Sequence, residues 1–184
     1  MSKNWAICIG INDYKYVSPL KYAHSDARRI RDFCQKELRF DRLFFFVEGA
    51  PDIRLDDGYR IEASPRFGNL DVFLNVQIKA RGLLHPQDNL WNFFEGHGLR
   101  SDGIDYLLPI DGNANRIEQT GLRIDYLSER LRRSGAGNIV LMLDACRSGD
   151  SRKISVAGIG TAPQQGVVTL CSCGPNEQAY EIAE

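Results

Sequence analysis

The sequence lacks a surplus of either charge. Twenty-three Lys+Arg stand against 24 Asp+Glu, a formal net charge of −1 over 184 residues. A general nucleic-acid binder needs basic excess to meet phosphates, so that class is set aside. No apolar run approaches the roughly 20 residues that span a bilayer. The first apolar stretch gives way to Asn12-Asp13 before a signal-peptide core of usual length is reached, so a cytoplasmic location is expected. Cysteines are few and odd in number: Cys8, Cys34, Cys146, Cys171 and Cys173. Without a secretory signal they read as reduced thiols rather than a disulfide framework. Cys171-Ser172-Cys173 is too tight for a zinc knuckle and the three histidines are scattered, so no Cys/His zinc spacing exists. There is no repeat, low-complexity tract or evident interdomain linker.

What is present is an ordinary globular balance, 43% hydrophobic and 26% charged, in a length that suits one domain over residues 1–184. Trp5–Ile11 and Leu43–Val47 are apolar without alternation, as in strands buried on both faces. His24–Leu38 shows helical spacing through Ala27, Ile30, Phe33, Cys34 and Leu38. Residues 48–69 read as a long loop, followed by a helix from Leu70 to near Gly82. Asn89–Phe94 is a third strand running into Glu95-Gly96-His97-Gly98, and Asp102–Asp111 is a hairpin-like excursion. Leu122–Arg133 is a helix stopped by Gly135, Asn138–Asp144 a fourth strand and Val167–Ser172 a fifth. Strands alternating with helices predict an α/β fold, a mostly parallel sheet sandwiched by helices. A nucleotide-binding or flavodoxin-like domain would want a glycine-rich phosphate loop after the first strand, and Gly10-Ile11-Asn12-Asp13-Tyr14 is not one.

Ligands of such sheets sit at the carboxyl ends of the strands. Two residues there carry chemistry. His97 lies between two glycines, where a histidine is as readily an idle loop residue as a catalytic one. Cys146 lies in Asp144-Ala145-Cys146-Arg147-Ser148-Gly149, and a free cysteine is ordinarily a small buried hydrophobe. Their separation of 49 residues fits one crossover, which brings both to one sheet edge on neighbouring strands. A thiol with an imidazole in reach is a nucleophile with its base. Gly98 leaves an unobstructed backbone N–H beside the imidazole.

The Ala-Cys-Arg core, with its histidine about 50 residues upstream, is close to the caspase signature. The first position departs, being Asp144, and Ser148 precedes the glycine. With Trp5–Ile11 before Asn12-Asp13-Tyr14, Leu20-Lys21-Tyr22-Ala23 with Asp26-Ala27, Phe93–Gly98, Asp102–Pro109 and Leu143–Gly149, the chain resembles the caspase-like cysteine peptidases (peptidase C14), in their metacaspase/orthocaspase branch. The resemblance spans about residues 4–181.

The resemblance implies a caspase-hemoglobinase-like fold and a thiol protease with His97 as base and Cys146 as nucleophile. The backbone N–H groups of Gly98 and Cys146 would form the oxyanion hole. Asp26, Asp144 and Ser172 would bind substrate, the two acids selecting Arg or Lys before the cut. Self-cleavage is expected in the 147–166 loop, after Arg152 or Lys153, with Arg66 as second choice. Residues 167–184 would begin the small-subunit region. The remaining C-terminal part is expected to be missing from this chain and to pack on it, possibly as a separate chain. Partners would be basic protein or peptide substrates, with no nucleic acid or membrane. No metal site or obligatory cofactor is expected. Calcium is possible but not favoured: Asp102, Asp105 and Asp111 could offer oxygens, yet Arg123-Ile124-Asp125 lacks the branch's adjacent acidic pair, and Asp52, Asp56 and Asp57 read as solvated loop acids. The competing expectation is a catalytically silent scaffold used for binding or signalling.

Overall fold

The computed structural model describes residues 2–79, 83–146 and 167–171. It has an α/β architecture, a mostly parallel central sheet flanked by helices. In chain order come β1 (Asn4–Gly10), α1 (Ala23–Lys36), β2 (Arg42–Phe46), β3 (Ile53–Arg54), β4 (Arg60–Ile61), α2 (Phe67–Val76), β5 (Asn89–Ser101) and β6 (Ile104–Leu107). A short 3₁₀ turn (Ala114–Arg116), α3 (Ile117–Thr120), β7 (Leu122–Arg123), α4 (Ile124–Arg132), β8 (Asn138–Cys146) and β9 (Val167–Cys171) follow. Strands β2-β1-β5-β8-β9 pair in parallel, and β6 and β7 extend β5 by antiparallel pairing. Among the described residues no helix is long and apolar enough to cross a membrane.

The pleat sorts side chains onto two faces. Trp5, Ile7 and Ile9 of β1, Leu90 and Phe94 of β5, and Ile139, Leu141 and Leu143 of β8 build the larger core with α2 and α4. Phe73 of α2 sits edge-on to Phe44 and Phe46, with ring centroids 4.7 and 5.0 Å away. The opposite face carries a smaller cluster of Ala6, Cys8, Phe93 and Cys34 of α1. Gly10 lets α1 come this close, because a Cβ there would lie 2.6 Å from the Ala23 carbonyl oxygen and 2.7 Å from the Ala27 Cβ.

Several sequence boundaries need correction. Residues 48–69 are not all loop: β3 and β4 form a small hairpin whose Ile53, Leu55 and Ile61 are buried in the core, and α2 starts at Phe67. That helix ends at Val76, short of Gly82. The third strand does not stop at Phe94. β5 runs on to Ser101 because β6 folds back on it, from Gly98 opposite Leu107, around the Asp102-Gly103 turn, whose two residues both have positive φ (47° and 81°). The strand ending at Asp144 likewise continues, and Cys146 is its last residue. Gly135, with φ 90°, turns the chain two residues after the Arg133 C-cap of α4.

Candidate active site

Glu95, Gly96 and His97 of β5 are the Cα partners of Asp144, Ala145 and Cys146 of β8. His97 and Cys146 therefore stand directly opposite where the parallel pairing of β5 and β8 ends, with their Cα atoms about 4.8 Å apart. His97 is a strand residue, only 3% exposed, rather than a loop histidine. The side chain of Cys146 lies outside the described residues.

The loop joining β1 to α1 holds the imidazole. His97 Nε2 lies 2.8 Å from the Ser18 carbonyl oxygen. A carbonyl only accepts, so the proton of the neutral ring is on Nε2 and Nδ1 is its acceptor nitrogen. The His97 backbone N–H donates to the Tyr14 hydroxyl at 2.7 Å, and the two rings lie 4.7 Å apart at 45°. Gly96 makes room for this tyrosine: a Cβ there would sit 2.5 Å from its hydroxyl oxygen. The loop itself is closed by Asn12. Its Oδ1 accepts from the His24 N–H at 3.0 Å, its Nδ2 donates to the Lys21 carbonyl, and its own carbonyl accepts from the Leu20 N–H. Lys15 N–H donates to the Ile110 carbonyl, tying the loop to the segment after β6. The His97 carbonyl accepts from the Leu108 N–H at 2.9 Å, and Gly98 is buried beside it.

Next to this pair, Glu95 has the carboxyl groups of Asp144 and Asp26 near enough to act on it. Asp144 is exposed, and Asp26 lies in the first turn of α1, where it pairs with Arg29 at 3.6 Å. Glu95 is 9% exposed. Burial first, then the charges of Asp144 and Asp26 and a hydrogen bond to Asp144, push its carboxyl up to about 9. Burial beside two other carboxyl groups thus favours the neutral form of Glu95. Sequence reading missed Glu95, Tyr14 and Ser18. The period of 2 could have found Glu95, which shares a face with His97 once β5 is continued past Phe94.

The remaining acids are engaged elsewhere. Asp105 faces Arg100 at 3.8 Å, and Asp111 accepts the Phe67 N–H at the start of α2. Asp56 is not merely solvated: it binds Arg42 and Gln77, which hold it below the usual carboxylate range. Among the described residues no three His, Cys, Asp or Glu side chains are grouped to hold a metal ion. Arg66 is half-buried at the N-cap of α2, with its carbonyl accepting from Leu70, a poor place for cleavage. Ser172, Arg152, Lys153, the 147–166 segment and residues 172–184 lie outside the described residues. The chain matches no family model and has no significant match among curated proteins.

Proposed function

We propose that this chain is a cysteine endopeptidase of the caspase-like kind, cleaving after Arg or Lys, on a caspase-hemoglobinase-like fold. The observation that carries the reading is the register pairing of His97 with Cys146, with the imidazole fixed by the Ser18 carbonyl. At about 4.8 Å between Cα atoms, a cysteine thiol and an imidazole can reach each other.

His97 Nδ1 takes the thiol proton and the Cys146 thiolate attacks the peptide carbonyl carbon. The developing oxyanion meets the N–H groups of Gly98 and Cys146. The imidazolium, held by Ser18, passes its proton to the leaving amine as the C–N bond breaks, leaving a thioester. Water then attacks the thioester, giving a proton to Nδ1, and the thiolate departs with the acid product released. Asp26 and Asp144 bind the basic side chain before the cut. A carboxylate there would meet like charge, whereas a guanidinium can pair in a bidentate way, about 10- to 100-fold per contact. Self-processing in 147–166, after Arg152 or Lys153, belongs to the same reading.

A panel of fluorogenic peptides ending in Arg, Lys or Asp tests it, on wild type and Cys146→Ala, with and without calcium. Turnover of the Arg peptide above Lys, none of the Asp peptide and none by Cys146→Ala is the expected pattern. Efficient Asp cleavage, or full turnover by Cys146→Ala, refutes it.

A further inference from the structure

We propose that Glu95 holds a displaceable proton beneath the specificity pocket: its neutral carboxyl donates to Asp144 while the pocket is empty, and an entering guanidinium or ammonium group expels that proton to solvent. This rests on the reading of Asp26 and Asp144 as the pocket for a basic side chain.

The geometry points to this role independently of sequence resemblance. Glu95 and Asp144 are register partners on β5 and β8, as His97 and Cys146 are one strand repeat further on. The carboxyl pair therefore stands about 6–7 Å along the strands from the reacting pair, the distance of a side chain next to a scissile bond. Two carboxyl groups side by side at one register position favour sharing a proton, and Glu95 is the one withdrawn from water while Asp144 is exposed. Among the described residues, those packed around it supply no countercharge. From β8 comes Asp144, and from α1 comes Asp26, whose own partner Arg29 is largely exposed. From β1 come Gly10, which has no side chain, and Cys8, whose thiol burial keeps neutral. His97 is the next titratable group along its own strand face, and its Nε2 is committed to Ser18.

The empty pocket thus avoids burying a negative charge beside two others. A cationic side chain supplies the missing countercharge, so neutral Glu95 plus the cation becomes an ion-paired carboxylate plus one free proton. Recognition of a basic residue is then coupled to pH. Between neutrality and about pH 9 the affinity rises about tenfold per pH unit, then levels off.

Titration calorimetry on the Cys146→Ala protein, with a peptide ending in arginine amide, reads this directly. At pH 7.5, in phosphate and in Tris, whose ionisation heats differ, the difference in binding heat counts protons released. About one proton per peptide is expected. Glu95→Gln in the same background keeps a donor to Asp144 but has no proton to lose, so it releases none and its Kd is flat with pH. Binding without proton release in the Cys146→Ala protein overturns the inference and leaves the basic pocket intact. So does equal release from Glu95→Gln. Binding of an Asp-ended peptide in place of the Arg peptide sinks the pocket reading as well. The first measurement decides even if Glu95→Gln fails to fold.

Discussion

The two faces of the sheet are built from the same strands and do opposite work. Toward α2 and α4, alternate residues are large and apolar, and Phe44, Phe46, Phe73, Leu90 and Phe94 are buried in the core. Toward α1 the fully buried cluster is smaller, Ala6, Cys8, Cys34 and Phe93, and Gly10, Ala23 and Ala27 bring the helix in close. The residues of that face at the carboxyl ends are polar: Glu95, His97 and Asp144. One face is a source of stability, and the other gives stability up where Glu95 and His97 are held away from water. Asn92 is the exception on the apolar side, fully buried with neither amide atom hydrogen-bonded among the described residues.

Substitutions on the two faces should therefore separate activity from stability. The largest effect belongs to the polar end. His97→Ala should lower peptide turnover by about 10²- to 10⁴-fold, far more than the stability lost with its buried ring would explain. Steady-state kinetics beside thermal melts check both halves of that statement. Phe73→Ala should do the reverse. It removes a ring packed against two others and should cost about 3–5 kcal/mol, lowering Tm by about 10 °C. Unchanged Tm in Phe73→Ala would break the contrast.

The pH dependence of stability sharpens it. Glu95 is raised from 4.5 to about 9 on folding, so between those values the native state holds a proton that the unfolded chain has lost. Its contribution is undiminished below the unfolded value and falls as pH rises toward 9. Glu95→Gln should remove that slope, becoming more stable than wild type by a few kcal/mol at pH 9 and about equal at pH 4. Melts across this range decide it, and parallel curves would show that Glu95 is ionised in the folded protein. The smallest effect is expected at the loop clasp. Tyr14→Phe leaves the His97 N–H without its acceptor and should cost about 1–3 kcal/mol, with a modest fall in kcat. Gly96→Ala should mimic it by pushing the Tyr14 hydroxyl aside.

The sequence made the parallel strands legible because residues such as Ile7 and Phe44 sit in runs buried on both faces. The fourth strand and its neighbour were legible for the same reason, so His97 and Cys146 could be picked out as strand-end residues. The extension of β5 was not, because Gly96-His97-Gly98 has the composition of a loop and only the pairing with β6 keeps it extended. Once it is extended, Glu95 falls on the same face as His97, and its strand partner is Asp144. Tyr14 and Ser18 stay invisible in the sequence, since they reach His97 across 83 and 79 residues and a hydroxyl or a backbone carbonyl carries no local pattern. The β3–β4 hairpin was hidden because two-residue strands are too short for alternation to register.

The central claim is that His97 and Cys146 form one reacting pair behind a pocket for basic side chains. An arginine chloromethyl ketone reports on it, because a thiolate held beside the bound arginine displaces chloride and keeps a stable thioether. Tandem mass spectrometry then identifies the alkylated cysteine. The account predicts one adduct, on Cys146, formed far more slowly by His97→Ala and by Asp144→Ala. Adducts on Cys8, Cys34, Cys171 or Cys173 instead, or equally fast labelling by an aspartate chloromethyl ketone, would contradict it.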